Sequence, residues 1–208
     1  MTPHRIRLSA AAAALSMALL TLGGCAAVVL GGAVGTALVA ADRRTAGTQL
    51  EDQNIELKSL TRIRETVGER GHVNVTSYNR QVLITGEVAS DADRSALEQS
   101  IARIEGVRTT VNELAVMGVS SMTARSNDTI LTSKVKASLL DAKDMPATAV
   151  KVVTERGTVY LMGRVSEREA TRATEIARGV AGVQKVVRVF EILTEAELAT
   201  LGSEPRKN

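Results

Sequence analysis

An internal repeat constrains the fold of this chain more than any other feature of its sequence. Residues 73–88 (VNVTSYNRQVLITGEV) align without a gap with residues 150–165 (VKVVTERGTVYLMGRV), and five of the sixteen positions are identical. Each copy alternates apolar and polar residues over two short runs, which predicts two strands with one buried face. Asn79-Arg80 and Arg156-Gly157 interrupt the runs, so the sequence predicts a β-hairpin in each copy.

A glycine stands at the same place in both copies, within the second predicted strand. These residues are Gly86 and Gly163. A glycine inside a strand marks a bulge or a close approach of another backbone segment. We therefore predict a structural role for both glycines.

The two hairpins also have the same neighbours along the chain, which gives the order α-β-β-α-β twice. This order predicts an α+β fold with two tandem domains, each a three-stranded sheet packed under two helices. Asn127-Asp128 is a good N-cap pair for the first helix of the second copy, and residues 117–127 are predicted to join the copies. In the first copy the other predicted elements are a helix at 55–70, a helix from Ser90-Asp91 to Gly106 and a last strand at 107–116. In the second copy they are a helix at 128–143, a helix from Ser166-Glu167 to Gly182 and a last strand at 183–192.

The first 25 residues have the pattern of an export signal. A basic stretch at residues 4–7 precedes an apolar stretch at 8–22, and small residues lead to Cys25, the single cysteine of the chain. This segment resembles the lipobox of bacterial lipoproteins, whose cysteine is diacylated and becomes the N-terminus after cleavage. The resemblance implies that residues 1–24 are removed and that Cys25 is the lipid anchor. The alternative is an ordinary signal peptide that leaves a free thiol.

The segment after Cys25 is apolar but short. A membrane-spanning helix needs about 20 apolar residues, whereas residues 26–41 are fewer and rich in glycine, which disfavours helix. We predict a juxtamembrane segment, followed by a polar linker at residues 42–54. Ala26 stands where lipoproteins retained in the inner membrane carry Asp, so by that family rule the protein goes to the outer membrane.

The repeated units resemble BON domains. The resemblance rests on the two hairpins and on the segments IEGV and VAGV before each last strand. With the lipobox and the run SNDTILTSKVKASLL, the chain resembles the dual-BON-domain outer-membrane lipoproteins associated with cell division and envelope stress. The resemblance implies a mixed sheet in each domain and a lipid-anchored protein on the periplasmic face of the outer membrane. The predicted organisation is a signal peptide (1–24), a lipidated N-terminus with its linker (25–54), two BON domains (55–121 and 125–195) and a tail (196–208).

The helix at residues 128–141 is the predicted binding element. On a helical wheel, Leu131, Val135, Ser138 and Leu139 form a core stripe, and the opposite arc carries Ile130, Ser133, Lys134, Ala137 and Leu140. Apolar residues beside lysines are typical of a face that lies in lipid headgroups. A broad buried face, or contact with the first domain, explains the same pattern equally well.

The family resemblance favours the lipid interpretation, because in these lipoproteins the first helix of the second BON domain contacts anionic phospholipid. The second domain carries a net charge of +3 and the first −1, which agrees with that assignment. The family can place a tryptophan where Ile130 stands, so weaker membrane affinity is expected here. The helix at 55–70 has a more fully charged face, and we predict that it binds lipid poorly and serves in packing or protein contact.

The sequence predicts no catalytic site, metal site or cofactor. His72 is the single histidine after Cys25, whereas a metal site is expected to use two or more His or Cys ligands. No motif supplies a nucleophile with its base or a phosphate loop. Stacking aromatic residues for nucleic acid are also missing. We therefore predict a non-enzymatic lipoprotein without a small-molecule substrate that binds anionic phospholipid and supports outer-membrane integrity; the alternative is an adaptor for an outer-membrane assembly or envelope complex.

Overall fold

The computed structural model describes residues 42–203. The predicted signal peptide, Cys25, the apolar segment 26–41 and the last five residues lie outside the described residues. Of the helices within residues 42–203, none has both the length and the apolar character needed to span a bilayer.

The described residues form two units with the predicted order of elements, which is therefore confirmed. The first unit contains α1 (Ala46–Thr66), β1 (His72–Tyr78), β2 (Gln81–Val88), α2 (Asp91–Ala102) and β3 (Thr109–Val116). The second unit contains α3 (Met122–Asp141), β4 (Val150–Glu155), β5 (Thr158–Val165), α4 (Glu167–Arg178) and β6 (Lys185–Ile192), and α5 (Glu195–Ser203) follows it.

Each unit has a three-stranded mixed sheet, as predicted. The second strand is central: β2 pairs with β1 antiparallel and with β3 parallel, and β5 pairs in the same way with β4 and β6. The antiparallel pair is the hairpin, and the parallel pair needs a crossover, which α2 or α4 supplies. The two sheets have equivalent registers, with Val75 opposite Ile84 in one and Val152 opposite Leu161 in the other.

The hairpin turns form where the sequence predicts them. Both central residues have positive φ in each turn, at 51° and 64° in Asn79-Arg80 and at 49° and 69° in Arg156-Gly157. This is the backbone of a type I′ turn, which matches the twist of the flanking strands. Three of these four residues are not glycine, so the turns need support from elsewhere in the unit.

An aspartate of the first helix supplies that support in both units. The carboxylate of Asp52 accepts hydrogen bonds from both turn N–H groups, at 2.8 and 2.7 Å. Asp128 does the same in the second unit, at 2.8 Å for each bond. The predicted role of Asp128 as an N-cap residue is wrong, because it lies within α3 and holds the turn.

The two strand glycines lie where the backbones approach closely. A Cβ built at Gly86 would overlap the carbonyl oxygen of His72, and one built at Gly163 would overlap the carbonyl oxygen of Ala149. Gly86 also has a φ of +117°, which side chains disfavour. Both positions therefore require glycine for steric reasons.

The first helix of each unit begins earlier than predicted. α1 begins at Ala46, where Thr45 caps it through the N–H of Thr48, so residues 46–54 are helical and the prediction of a linker there is wrong. α3 begins at Met122, with Ser121 as its N-cap, so the predicted joining segment also ends early. In each helix the added N-terminal turns place the aspartate that holds the hairpin turn inside the helix.

The second helix of each unit ends earlier than predicted. α2 ends at Ala102 and α4 at Arg178. Gly106 and Gly182 have φ values of +92° and +103°, and they lie in the turn that leads into the last strand. The predicted starts are confirmed, since Ser90 and Ser166 are N-caps.

Each sheet packs one face against its own helices. The first core contains Ile55, Val82, Ile84, Leu97 and Ile101, and the second contains Val135, Leu139, Val159, Leu161, Ala170 and Ala173. Alanines on α4 let that helix approach the sheet closely. The core stripe predicted for α3 is confirmed for its leucines and valine, which are buried, and Ser138 is half-buried.

The other faces of the two sheets pack against each other. Tyr78 and Leu83 of the first unit form one cluster with Tyr160, Met162 and Val189 of the second. The prediction of one buried face is therefore wrong for the central strands, since every residue from Val82 to Val88 is buried. The layers run helix, sheet, sheet, helix, and we call the sheet–sheet contact the domain seam.

Candidate lipid-binding face

The five residues predicted to contact phospholipid share one exposed face of α3. Ile130 is 55% exposed and Leu140 is 66% exposed, and the other three are also exposed. A broad buried face would have covered them, and so would packing against the first unit. Both alternatives are excluded for the described residues.

The face is longer than the sequence predicted, because α3 begins at Met122. That methionine is 71% exposed. It precedes Leu140 by eighteen residues, which is five helical turns, so the two side chains point in the same direction about 27 Å apart along the axis. We call Met122, Ile130, Ser133, Lys134, Ala137 and Leu140 the α3 face. The capping serine at position 121 is the sequence signal that would have identified Met122.

Two lysines on or beside the α3 face have uncompensated charges. Lys134 and Lys136 are exposed, and neither has an acidic partner among residues 42–203. Two of the three cations of α1 differ, since Lys58 lies 3.8 Å from Glu105 and Arg62 lies 3.0 Å from Glu65. The α3 lysines are therefore available to an external anion.

A groove of about 560 Å³ lies beside the α3 face, between α3 and α4. Lys134 and Ala137 line it from α3, and Arg172 and Ile176 line it from α4. Arg172 is held in place by Asp144, whose carboxylate accepts its hydrogen bond at 2.7 Å. The groove thus combines cationic and apolar groups with one carboxylate, that of Glu175, which lies 3.6 Å from the guanidinium of Arg172.

The outer face of α1 is less polar than predicted. Leu50, Leu57 and Leu60 are 59%, 62% and 48% exposed. Their spacing places them within about 80° of the helical wheel, and we call them the α1 leucine patch. The prediction of a more fully charged face overlooked Leu50, which precedes the predicted start of the helix.

A polar cluster is buried in the domain seam. Glu87 of β2 is fully buried and Glu155 of β4 is 3% exposed. Arg156 donates to Glu87 Oε1 at 3.1 Å, and Asn74 donates to Glu155 Oε2 at 3.1 Å. Nδ1 of His72 lies 3.6 Å from Glu87 Oε2 and has no hydrogen-bond partner among the described residues.

Burial affects the two glutamates differently. It raises the pKa of Glu155, and the negative charge of Glu87 adds to that effect. Burial opposes ionisation of Glu87 as well, but hydrogen bonds from Ser120 and Arg156 prevail and hold its pKa below the usual range. The cluster therefore places a carboxylate with a lowered pKa beside one with a raised pKa.

Two arginines before α1 connect the units. Arg43 forms two hydrogen bonds with the buried carboxylate of Glu169 on α4, at 2.7 and 2.9 Å. Arg44 pairs with Asp52 at 2.8 Å and lies 4.1 Å above the ring of Tyr78. These residues were predicted as part of a linker, yet one holds the second unit and the other holds the first.

The sequence agrees with that of known proteins. The model of the BON domain matches residues 51–118 and 127–194. The chain is 37% identical over 174 residues to Outer membrane lipoprotein DolP of Haemophilus influenzae. The aligned residues cover 83% of this chain and 90% of that protein. The chain belongs to the dual-BON-domain outer-membrane lipoproteins. The family predicted from the residues is thereby confirmed.

This BON-domain lipoprotein also resembles two other proteins. It is 34% identical over 151 residues to the 21 kDa hemolysin of Actinobacillus pleuropneumoniae, covering 72% of this chain and 78% of the relative. It is 33% identical over 117 residues to Osmotically-inducible protein Y of Escherichia coli K12, covering 55% and 58% respectively.

Proposed function

We propose that this lipoprotein is a non-enzymatic, lipid-anchored protein of the outer membrane that binds anionic phospholipid through the α3 face. The observation that carries the proposal is the exposure of Ile130 and Leu140 beside lysines that have no acidic partner in the described part of the chain. In this proposal Cys25 carries the acyl chains and the domains face the periplasm. The cellular role proposed with it is support of outer-membrane integrity in cell division and envelope stress.

The physical basis of binding is a shallow insertion. The apolar side chains of α3 enter the boundary between headgroups and acyl chains, and the lysines remain at the level of the phosphates. Each lysine near an anionic surface contributes about 1 kcal/mol. Two lysines and three apolar side chains give a weak contact, and an acyl anchor makes that contact effective by holding the domain near the membrane.

In this proposal the groove beside the α3 face receives the phosphate of one lipid. Lys134 on one wall has no acidic partner among residues 42–203, and Arg172 on the other wall pairs with Asp144 and Glu175. Asp144 orients Arg172, so its guanidinium is in position before lipid arrives. We infer that the headgroup phosphate lies in the groove while Ile130 and Leu140 enter the bilayer beside it.

The test is binding of residues 42–208 to vesicles, because this fragment contains both cores. Wild-type protein is expected to sediment with phosphatidylglycerol vesicles and not with phosphatidylcholine vesicles. The double substitution Ile130→Glu and Leu140→Glu is expected to abolish binding. The matched control is Leu50→Glu and Leu57→Glu, which places the same charges on equally exposed α1 positions. Equal effects of the two pairs, or no effect of the α3 pair, would refute the proposal.

The second candidate function is that of a protein-binding adaptor for an outer-membrane assembly or envelope complex. The α1 leucine patch favours it, since clustered exposed leucines on a charged helix are typical of a contact surface. A photo-crosslinker at position 57 would then capture a protein in cells, and one at position 130 would not. The reverse pattern, together with lipid affinity of the purified fragment, supports lipid binding alone.

A further inference from the structure

The polar cluster in the domain seam brings together three groups that are distant in the sequence. His72 is the first residue of β1, and Glu87 lies directly opposite it on β2. Glu155 is the last residue of β4, in the other unit. One nitrogen or oxygen atom from each of these residues lies within 4.8 Å of the other two.

We propose that His72, Glu87 and Glu155 bind one Zn²⁺ ion, which joins the two BON domains across the seam. This site is independent of the α3 face, and it goes beyond the proposed lipid binding. The sequence predicted no metal site because His72 is the single histidine after Cys25. That prediction did not consider Glu87 and Glu155, which folding brings close to His72.

The geometry of the histidine supports a metal ligand. His72 Nδ1 and Glu87 Oε2 are 3.6 Å apart, which is longer than a good hydrogen bond. Two ligands of a tetrahedral zinc lie about 3.4 Å apart, since each bond is about 2.0–2.2 Å long. An ion between these atoms needs almost no movement of them. An oxygen of Glu155 lies within 4.8 Å of both atoms, so each of these distances needs to shorten by at most about 1.4 Å to reach the ligand spacing of tetrahedral zinc.

The bonding around the cluster leaves the required atoms available. Arg156 occupies Oε1 of Glu87, so Oε2 is the oxygen that faces His72. The N–H of Ser120 lies 3.3 Å from that oxygen and orients it further. His72 Nδ1 is buried without a hydrogen-bond partner in the described part of the chain, and buried polar atoms of this kind are uncommon.

The charges of the cluster also call for a cation. Two carboxylates are buried together, and Arg156 compensates only one of them. Burial of an uncompensated carboxylate is costly, and a bound metal ion removes the cost. The donor set of one imidazole nitrogen and two carboxylate oxygens suits zinc, whereas calcium and magnesium prefer oxygen alone. The His72 side chain is 22% exposed, which gives the ion a path from solvent.

The test is calorimetric titration of Zn²⁺ into the full chain, purified in detergent and treated with a chelator. One ion per chain is expected to bind. His72→Gln and Glu155→Gln are expected to weaken binding by ~10-fold or more, and Glu105→Gln, on the surface, is the control. Zinc is also expected to raise the thermal midpoint of the wild type and not that of His72→Gln. These two readouts remain informative if one variant proves unstable.

Two results would overturn the proposal. One is zinc binding of the same affinity by both ligand variants. The other is no zinc binding by the wild type. In the second case a thermal midpoint that rises as the pH is lowered would indicate that the cluster holds a proton instead of a metal.

Discussion

Replacement of Asp52 by alanine perturbs the contact between α1 and the first hairpin. Asp52 is 2% exposed and accepts from two turn N–H groups, from the hydroxyl of Ser77 at 2.6 Å and from Arg44 at 2.8 Å. The substitution leaves those donors without their acceptor, and a buried group that loses its partner costs about 1–3 kcal/mol. The costs overlap because the donors share one carboxylate, so we expect a loss of about 4 kcal/mol in the free energy of unfolding.

The internal repeat provides an equivalent aspartate, Asp128, with which the effect of Asp52→Ala can be compared. Asp128 holds the second turn through two hydrogen bonds and is only half-buried, so Asp128→Ala is expected to cost about 2 kcal/mol. Asp141, exposed at the end of the same helix, is the control, and its replacement should change stability by less than about 0.5 kcal/mol.

The assay is urea unfolding of residues 42–208, combined with hydrogen exchange at the turn amides. Exchange should accelerate at residues 79 and 80 in the first variant, and at 156 and 157 in the second. A cost below about 1 kcal/mol for Asp52→Ala, or unchanged exchange at its turn, would refute the idea that the helical aspartates hold the hairpins.

Three other contacts in the structure give further predictions. Glu169→Gln should lower the free energy of unfolding by about 1–3 kcal/mol at neutral pH. Because Arg43 lowers the pKa of Glu169, this stabilisation is present above the usual pKa range of a glutamate and is lost as the pH falls through the lowered pKa. Urea unfolding in acid should therefore show no difference between the variant and the wild type. Gly163→Ala should cost about 2 kcal/mol because its Cβ overlaps the carbonyl of Ala149, with Gly118→Ala, in open space, as the neutral control. Met162→Ala, fully buried in the seam, should cost about 2–5 kcal/mol and raise hydrogen exchange in β2 as well as in β5, and exchange confined to β5 would contradict the face-to-face packing.

The sequence predicted those parts of the fold that depend on local pattern. The alternation of apolar and polar residues predicted the strands, Asn79-Arg80 and Arg156-Gly157 predicted the hairpin turns, and Ser90 and Ser166 predicted two helix starts. The repeat then predicted the architecture of both units, because two copies with the same order of elements are expected to adopt the same fold. Helical periodicity placed the five residues on one arc of α3, but it left open whether that arc is exposed, and only the family resemblance favoured exposure.

The parts that were missed depend on contacts between distant residues. Asp52 looked like a linker residue, because nothing in its neighbourhood shows that a hairpin turn 27 residues later requires its carboxylate. Residues such as Leu83 and Met162 lie on strand faces that would be solvent-exposed in a single unit, and only the second unit explains their burial. The cluster of His72, Glu87 and Glu155 joins three strands of two units, which no sequence spacing reveals.

The central claim is that the α3 face binds anionic lipid, and chemical-shift mapping tests it most directly. Residues 42–208 would be titrated with anionic micelles, and the amide shifts of each residue would be followed by NMR. We expect the largest changes along residues 122–140 and at the groove residues of α4, with little change on α1. Changes concentrated at the α1 leucine patch, or no changes on α3 with anionic lipid, would contradict the account.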